Sequence, residues 1–580
     1  MSKVTDLIAR SIVDADITHV FTYPGGTTIP IINAFYDFRD SVNVIVTRSE
    51  QTASCMANAY GRMTGRPGVV ICQGPYGIST ALFGINESAL GSVPMVLITD
   101  ITDFGVFHAH GVPQSTSGEY GSLDARGVLK LCCKFVAAPT AQNDCVQAVQ
   151  QALKHAATGR PGPCAVIVRS SNISSEADEN FLPRLFPTSA YGISEKPVAS
   201  DATIAKAVEL FTVSRRPVII AGNGINVSGA YNELRDLAAI LSLPVVTTSM
   251  GKGVIDEGLP QSFGVIGSFG HPAANQIVSQ ADLLLIVGSR LKPPDTCYED
   301  PKMIDPDRQK IIHVDIDPGN INWTFPATLG IQADAKDILT RLLVAIRGEG
   351  LDPLDRLEWI GKMQELKHQD HFDAASKTEP SEPIHPKWLV GQISKYSPDD
   401  TIVTTDGGNN RFWMLRYYKA KPGCYWSPGG TLSVSFGIPA ALTAKLLNPD
   451  RPVLSVAGDG GFSMQIHALA TAVEQKLGVV FVVMNDSQLG MVREGQGQRP
   501  IGSEFNETDY AAIARAFGCE GKRIAHSEEF EEALKSAYES NRPYVLDVQI
   551  SREEKIYEQL FSPFARESFT RMTSRECYYR

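Results

Sequence analysis

Two aspartates follow two apolar runs at positions that could bring them together. Residues 453–457 form a short apolar run closed by Gly458-Asp459-Gly460-Gly461, and residues 479–484 form a second run, followed by Asn485-Asp486. Apolar residues at helical spacing over 463–476 predict a helix between the runs, and hence a β-α-β unit with parallel strands. Because the carboxyl ends of parallel strands meet at one edge of a sheet, we expect Asp459 and Asp486 to lie close together.

The residue types at this edge suit a divalent cation and a phosphate group. Proteins usually hold Mg²⁺ with one or two carboxylates plus phosphate oxygens. The glycine-rich turn allows backbone amides and a helix N-terminus to face an anion. Gly-Asp-Gly alone is also typical of a plain tight turn, but Asp486 after the next strand favours a site for Mg²⁺ and a diphosphate.

The two turns resemble the motif of thiamine diphosphate-dependent enzymes, in which Asn-Asn follows Gly-Asp-Gly after roughly 25–30 residues. Asp486 replaces the second asparagine and still offers a metal-binding oxygen, and residues 488–492 resemble acetolactate synthase in particular. The resemblance implies thiamine diphosphate and Mg²⁺ as cofactors. Its metal ligands would be Asp459, Asp486 and the backbone carbonyl of Gln488. It also implies cofactor contacts from Gly458, Gly460, Gly461, Leu489, Gly490 and Met491.

Length and composition bound the class of protein. The chain has 580 residues, too many for one hydrophobic core, and its 43% apolar and 20% charged residues are typical of globular domains. A net charge of −11 argues against nucleic acid or an anionic membrane as the main partner. No apolar run reaches transmembrane length, and the N-terminus has the pattern of an amphipathic helix instead of a signal peptide. Ten cysteines without a Cys-x-x-Cys pair favour reduced thiols and a cytoplasmic protein.

Alternating strand and helix signals predict an α/β protein with three doubly wound parallel-sheet domains. The blocks span residues 1–175, 195–345 and 386–550, separated by polar, proline-containing linkers, and an aromatic-rich tail at 551–580 is expected to dock on the body. The predicted strands are 20–23, 42–47, 69–72, 94–99 and 164–168, then 217–221, 244–248, 283–287 and 310–314, then 402–405, 453–457 and 479–484.

The resemblance to the acetolactate synthase group covers nearly the whole chain, including Tyr23-Pro24-Gly25-Gly26 and Ser49-Glu50. It implies that the first block binds the pyrimidine of the cofactor, that the third binds the diphosphate, and that the central block is structural or binds a nucleotide. It further implies a homodimer or homotetramer, because in this family the diphosphate and the glutamate that meets the pyrimidine come from different subunits.

Glu50 is the predicted catalytic glutamate and cofactor contact. It follows the apolar run 42–46 and begins a helix of small residues. An apolar surrounding helps a carboxyl group to share a proton with a cofactor nitrogen. The alternative is a glutamate that only stabilises a helix N-terminus. The resemblance selects the catalytic role, in which the glutamate assists proton loss from the cofactor.

Two further segments resemble cofactor-binding loops of the family. Gly408, Asn409 and Asn410 follow the strand 402–405 and would contact the diphosphate, although an ordinary polar loop has the same composition. In residues 428–434, the Leu432 carbonyl would meet the aminopyrimidine and Val434 would support the bent cofactor, unless Val434 is simply a core residue. Gly222-Asn223-Gly224 and Gly288-Ser289-Arg290 make FAD a possible central ligand, with a block lacking any nucleotide as the alternative.

The chain departs from acetolactate synthase where that enzyme binds its second substrate. Where the synthase has Phe-Asp-Asp-Arg, this chain has Leu291-Lys292-Pro293-Pro294, and where the synthase has a pocket tryptophan, this chain has Gly495. The position of an active-site glutamine of the synthase falls near Gly121. These changes predict a larger or differently shaped substrate. Tyr76, His108 and His110 are candidates for proton transfer near the first sheet edge, with surface histidines as the alternative.

The preferred hypothesis is therefore a thiamine diphosphate- and Mg²⁺-dependent decarboxylase or carboligase acting on a 2-oxo acid. One alternative within the class is a lyase or hydrolase of a diketone or a 2-hydroxyacyl-CoA. The alternative from another class is a non-catalytic nucleotide-binding regulatory protein.

Overall fold

Three parallel β-sheets of six strands each form the framework of the molecule. The computed structural model describes residues 2–102, 110–119, 121–349, 357–369, 372–566 and 568. Helices cover the faces of each sheet, so the predicted α/β class with three doubly wound parallel-sheet domains is confirmed. Such sheets are buried on both faces, and this explains why their central strands appear in the sequence as continuous apolar runs.

The first domain is built on strands in the spatial order Asn43–Val46, His19–Tyr23, Gly68–Cys72, Met95–Ile101, Pro163–Arg169 and Phe135–Ala137. Its helices are Val4–Val13, Ile29–Asn33, Glu50–Thr64, Gly74–Gly77, Leu82–Gly91, Ala125–Cys132, Gln142–Ala157 and Ser170–Ile173. A short antiparallel pair, Ser2–Lys3 with Glu176–Ala177, joins the two ends of the domain.

The central domain has the strand order Ser262–Val265, Val245–Thr247, Pro217–Ala221, Leu283–Val287, Lys310–Asp315 and Leu329–Gln332. Its helices are Asp201–Val213, Gly224–Ser228, Tyr231–Ile240, Pro272–Gln280 and Ala335–Glu349. The helix Leu357–Gln369 follows on the way to the third domain.

The third domain has the strand order Tyr425–Trp426, Ile402–Thr405, Val453–Gly458, Val479–Asn485, Tyr544–Gln549 and Glu520–Ile524. Its helices are Pro386–Tyr396, Asn409–Tyr417, Gly437–Leu447, Asp459–Met464, Ala468–Glu474, Gly490–Gly495, Tyr510–Phe517, Phe530–Ser540 and Ile556–Gln559.

The single helix predicted over 463–476 is wrong. The chain forms two helices there, Asp459–Met464 and Ala468–Glu474, with a break at Gln465. The Gln465 side chain is fully buried and accepts a hydrogen bond from Thr52 of the first domain. A contact with the first domain therefore overrides the local helical periodicity.

The first and third domains share one hydrophobic core, whereas the central domain has cores of its own. The helix Glu50–Thr64 of the first domain packs against the helix Gly437–Leu447 of the third domain. The helix that begins with Glu50 therefore lies at the interface between these two domains. The tail helix Ile556–Gln559 and the following Phe561 pack into core clusters of the third and central domains. Among the described residues, no helix is both long and apolar enough to span a bilayer.

Candidate active site

A cavity of about 400 Å³ opens at the carboxyl edge of the third sheet. Parallel pairing of Val453–Gly458 with Val479–Asn485 places the turns that follow them side by side. The cavity lining contains every third-domain residue predicted to contact the cofactor or metal: Gly408, Asn409, Asn410, Leu432, Val434, Gly458, Asp459, Gly460, Gly461, Asp486, Gln488, Leu489, Gly490 and Met491.

Asp459 and Asp486 form the electrostatic centre of this cavity. Burial and the neighbouring charge of Asp486 raise the pKa of Asp459 to about 7. Burial also raises the pKa of Asp486 to about 6, although Gln488 Nε2 donates to its Oδ2 at 2.8 Å. Asp459 Oδ1 accepts from the Gly460 amide at 2.6 Å, whereas Oδ2 is buried with no partner among the described residues. Two neighbouring carboxylates, one buried and one half-buried, with a spare oxygen have the charge and the donor atoms that a divalent cation requires.

Glycines keep the cavity open around these carboxylates. A Cβ on Gly490 would lie 2.6 Å from Asn409 Nδ2 and 3.5 Å from Asp486 Oδ2. A Cβ on Gly460 would lie 2.7 Å from Leu489 Cδ2. Side chains at either position would therefore fill the space between the Asp459 and Asp486 carboxylates and the Asn409 loop, where a phosphate would have to sit.

Asp406 precedes the lining residue Gly407, and sequence reasoning assigned it no role. It is fully buried directly after the strand Ile402–Thr405, and burial raises its pKa to about 7 against hydrogen bonds from backbone amides. Its Oδ2 lacks a hydrogen-bond partner among the described residues, and a Cβ on Gly461 would lie 2.0 Å from that oxygen. The signal available in the sequence was an aspartate at the carboxyl end of a strand, the same signal that identified Asp459.

The segment with Leu432 and Val434 forms one wall of the cavity. Leu432 has φ +55° and Ser435 has φ +77°, both in the left-handed region that side chains rarely adopt. Leu432 is 45% exposed and Val434 38% exposed, so two large apolar side chains face open space. A segment with strained backbone and exposed apolar side chains keeps its conformation only when residues around it hold it in place.

Glu87 of the first domain supplies that support, and sequence reasoning missed it. Its fully buried carboxylate accepts from the backbone amides of Gly429, Gly430 and Thr431 at 2.7–2.8 Å. It also accepts from the hydroxyls of Thr431 and Ser433 at 2.8 and 2.9 Å. A lone glutamate in an apolar helix carries no local sign that its partners lie more than 300 residues away.

Glu50 lies in the first domain and is not among the residues that line the cavity of the same chain. It is 7% exposed at the start of its helix, where Thr80 Oγ1 donates to its Oε2 at 3.1 Å. The preceding Ser49 caps the helix, and its hydroxyl lies 2.9 Å from His467 Nε2 of the third domain. The helix that presents Glu50 is thus anchored on the third domain.

The three candidates for proton transfer differ in where they lie in the structure. Tyr76 is 39% exposed in the short helix Gly74–Gly77, and its carbonyl lies 3.3 Å from the same Thr80 hydroxyl that donates to Glu50. His110 is exposed and lines none of the cavities described here. His108 lies outside the described residues. Tyr76 is therefore the candidate that shares a sheet edge with Glu50.

The two glycines that replace bulky acetolactate synthase residues do not line the cavity. A Cβ on Gly495 or on Gly121 would meet nothing within 4 Å. Lys292 does not line the cavity either, but its Nζ donates to the carbonyl of Gly429, in the segment that leads to Leu432. Burial and the charge of Arg290 lower the pKa of Lys292 to about 8.

The glycine loops of the central domain line a separate cavity of about 110 Å³. Gly224 and Gly288 approach so closely that a Cβ on Gly224 would lie 2.5 Å from the Gly288 Cα. Asp315, at the end of its strand, accepts from Asn320 Nδ2 at 3.1 Å beside them. Ligand pockets usually measure about 300–1,000 Å³, so this space is small for FAD.

The third-domain residues fit Mg²⁺ and a diphosphate. Buried oxygens of Asp459 and Asn409 find no hydrogen-bond partner in the described part of the chain, and glycines leave room beside them. No group of three or more His, Cys, Asp or Glu side chains that could hold a metal occurs in the described part of the chain. A metal here would therefore use two carboxylates together with carbonyl, phosphate or water oxygens.

Comparison with known proteins agrees with this geometry. Family models match residues 2–118 as the N-terminal, 204–342 as the central and 406–548 as the C-terminal domain of thiamine pyrophosphate (thiamine diphosphate) enzymes. A probable acetolactate synthase large subunit from Methanocaldococcus jannaschii is 32% identical, over 96% of this chain and 93% of the relative. The acetolactate synthase isozyme 3 large subunit of Escherichia coli is 29% identical over 96% of both chains.

The acetolactate synthase large subunit of Corynebacterium glutamicum is 30% identical, over 95% of this chain and 87% of the relative. These similarities identify an enzyme, against the alternative of a non-catalytic regulatory protein. Together with the three-sheet fold and the cavity between the Asp459 and Asp486 turns, they show that the chain belongs to the thiamine pyrophosphate enzyme family and resembles the acetolactate synthase large subunit.

Proposed function

We propose that the protein is a thiamine diphosphate- and Mg²⁺-dependent enzyme that cleaves or forms a carbon–carbon bond of a 2-oxo acid. The observation that carries the proposal is the pairing of Asp459 with Asp486 in a glycine-lined cavity. When bound, thiamine diphosphate supplies a carbon nucleophile for addition to a carbonyl group.

The chain's own residues hold and orient this cofactor. Asp459, Asp486 and the carbonyl of Gln488 would bind Mg²⁺, and the backbone amide of Gly461 would face the diphosphate. Leu432 and Val434 would exclude water from one side of the rings, which explains why large apolar side chains stand exposed in a single chain.

We infer that a second copy of the chain completes the site. Glu50 is buried on the first domain, and the cavity lining of the same chain does not include it. In a homodimer, or a homotetramer built from such dimers, Glu50 of the partner would hold a proton at the pyrimidine ring. Tyr76 lies close to Glu50, and we keep it with His108 and His110 as a candidate for moving a proton to or from substrate.

The cofactor is tested first. Protein stripped of small molecules by dialysis against a chelator should gain thermal stability from thiamine diphosphate with Mg²⁺, and far less from either one alone. No gain with both together contradicts the proposal. Free thiamine with Mg²⁺ is the matched control, because it lacks the diphosphate that the cavity would hold.

The substrate is tested with a panel of 2-oxo acids and diketones and mass detection of the products. Release of carbon dioxide with an aldehyde or a hydroxyketone supports the 2-oxo acid. Cleavage confined to diketones or to a 2-hydroxyacyl-CoA selects the lyase or hydrolase instead. Acetolactate formed from pyruvate at ordinary enzyme rates would show that the Lys292 segment and Gly495 do not exclude the relatives' reaction.

For the central domain we propose that any nucleotide is smaller than FAD. The supporting observation is the cavity of about 110 Å³ beside Gly224 and Asp315. Extraction of the purified protein, followed by mass detection, tests this proposal. Stoichiometric FAD would overturn it.

A further inference from the structure

Two cysteines stand next to each other at the end of a helix of the first domain. The helix Ala125–Cys132 ends at the first of them, and Cys133 continues in extended backbone at φ −102° and ψ 141°. Both side chains are half-buried, whereas the other seven cysteines within the described ranges are buried. The pair is therefore the place in the described chain where a reagent that attacks thiols can reach sulfur.

The two thiols are hydrogen-bonded to each other. The Cys133 thiol donates to Cys132 Sγ, and this bond lowers the pKa of Cys132, although burial alone would raise it. The bond that it donates, together with burial, raises the pKa of Cys133. Because the thiolate is the attacking form, Cys132 is the more reactive member of the pair, and Cys133 lies where it can react next.

The charged residues around the pair in the chain are basic. Between residues 126 and 134 they are Arg126, Lys130 and Lys134, with no acidic residue among them. Lys134 Nζ donates to the carbonyls of Thr158 and Arg160 at 2.5 and 2.8 Å, so its charge is held beside Cys133. This positive charge favours the approach of a small anionic reagent, such as glutathione disulfide.

We propose that Cys132 and Cys133 are a reversible modification site, at which a small anionic disulfide of the glutathione type converts the two thiols into a disulfide between neighbouring residues. The Cys132 thiolate attacks one sulfur of glutathione disulfide, the S–S bond of the reagent breaks, and one glutathione leaves. The Cys133 sulfur then attacks Cys132 Sγ and releases the second glutathione. Two electrons and two protons pass from the cysteines to the glutathione, and no further reactant is needed.

The disulfide formed in this way is strained and readily reduced. Neighbouring Cα atoms lie about 3.8 Å apart across a trans peptide bond, whereas ordinary disulfides join Cα atoms about 4.4–6.8 Å apart. Strained, accessible disulfides have higher reduction potentials than structural ones. The pair therefore stays reduced while reduced glutathione predominates, and it closes when glutathione disulfide accumulates.

Closing the disulfide should also change the end of the helix. In the reduced protein, the Cys133 amide donates to the Leu129 carbonyl at 2.8 Å and so satisfies one of the last carbonyls of the helix. The peptide between the cysteines has to rotate before their sulfurs can bond, and this rotation removes the hydrogen bond. The oxidised protein should therefore exchange the Cys133 amide hydrogen faster than the reduced protein.

Mass analysis of the full-length protein after treatment with glutathione disulfide tests the site. The parent protein carries Cys577→Ser, because Cys577 lies outside the described residues. After the remaining thiols are blocked with N-ethylmaleimide, the peptide with Cys132 and Cys133 should lack the block and be lighter by two hydrogen atoms, and dithiothreitol should restore both thiols. Cys519→Ser, at a cysteine that is 5% exposed, is the matched control and should behave like the parent.

The single variants separate the two steps. Cys133→Ser should keep one glutathione on Cys132, because no second thiol displaces it, and Cys132→Ser should react about tenfold more slowly than Cys133→Ser. Equal rates for these two variants would overturn the proposed order of attack. A stable glutathione adduct on the parent, or a pair that is oxidised only after unfolding in urea, would overturn the modification site itself. Unchanged exchange at Cys133 in the oxidised protein would contradict the loss of the helix-end hydrogen bond.

Discussion

The Glu87 carboxylate and the Arg62 guanidinium form an ion pair that is closed to solvent, with side chains 0% and 5% exposed. Arg62 also donates to the carbonyl of Ser427 at 2.9 Å and to Asn58 Oδ1 at 2.8 Å. Both members of the pair belong to the first domain, yet both bind the third-domain segment that leads to Leu432. The wall of the cavity that contains Leu432 and Val434 is therefore held by a charge pair outside the cavity itself.

Glu87→Gln should loosen this wall. The variant leaves Arg62 buried without its partner, a loss that typically costs about 3–5 kcal/mol. We expect a lower apparent Tm and, in the protein that remains folded, thiamine diphosphate affinity reduced by about tenfold, or ~1.4 kcal/mol. Calorimetry gives both quantities. Glu358→Gln is the control, because Glu358 pairs with Lys362 at the surface. A folded Glu87→Gln protein with unchanged cofactor affinity would show that the pair serves stability alone.

The same pair should make stability depend on acid pH. Burial alone would raise the pKa of Glu87, but the Arg62 charge and backbone amides outweigh burial and lower it to about 2. A carboxylate with a lowered pKa stabilises the fold fully above its unfolded value of about 4.5 and loses that effect as pH falls towards 2. The difference in apparent Tm between wild type and Glu87→Gln should therefore be constant near neutral pH and shrink below about 4.5. A difference that grows on acidification contradicts this assignment.

Asp459→Asn and Asp486→Ala should each weaken the response to Mg²⁺. Asp459→Asn loses the charge that attracts the cation and keeps one weak oxygen ligand, whereas Asp486→Ala loses the ligand altogether, because an asparagine at that position would still offer an oxygen. We expect the stabilisation by thiamine diphosphate with Mg²⁺ to fall by at least tenfold in apparent affinity, or ~1.4 kcal/mol. Asp399→Asn, at an exposed position of the same domain, is the matched control. Retention of Mg²⁺-dependent binding by both variants would place the metal elsewhere.

The sequence predicted those parts of the site whose residues can be recognised from their immediate neighbours in the chain. Most central strands appeared because apolar, β-branched runs are needed where a parallel sheet is buried on both faces. Tyr544–Gln549, a central strand of the third sheet in which Asp547 interrupts the apolar residues, was missed. The edge strand Glu520–Ile524 is only partly buried, lacks an apolar run and was missed, as was the three-residue edge strand Phe135–Ala137. Asp459 and Asp486 were found because glycine and asparagine mark the turns that carry them.

Residues whose role depends on distant partners could not be predicted in this way. Glu87 looks like an unfavourable charge in an apolar helix until the amides of Gly429 and Gly430 are placed around it. The break at Gln465 depends on Thr52 of another domain.

Coexpression of two inactive variants tests the origin of Glu50. Glu50→Gln should bind thiamine diphosphate normally and lose most turnover, whereas Asp459→Asn should fail to bind it. If each site combines Glu50 of one subunit with Asp459 of the other, mixed dimers carry one intact site, and coexpression should restore about a quarter of wild-type activity. Sites formed within one chain would give no recovery, and that result would contradict the proposed dimer.

The last prediction concerns Lys252 and Glu257, an ion pair of fully buried side chains between the central and third domains. Lys252 Nζ donates to Glu257 Oε2 at 2.5 Å and to the carbonyl of Tyr418 at 2.7 Å, and the same Oε2 accepts from the Ala420 amide at 2.7 Å. Burial lowers the pKa of Lys252 and raises that of Glu257, so each charge depends on the other.

Lys252→Met should therefore destabilise the protein by about 3–5 kcal/mol, because it leaves Glu257 buried without a cation. The double variant Lys252→Met/Glu257→Gln should be more stable than the single one, since glutamine is neutral and still accepts from the Ala420 amide. Comparison of the apparent Tm values of the two variants tests this prediction, and Lys362→Met, in an exposed ion pair, is the control. If the double variant is no more stable than the single one, the uncompensated charge of Glu257 is not what destabilises the single variant. The contacts of the Lys252 ammonium group with the rings of Phe372 and Tyr425 then become the stabilising interaction.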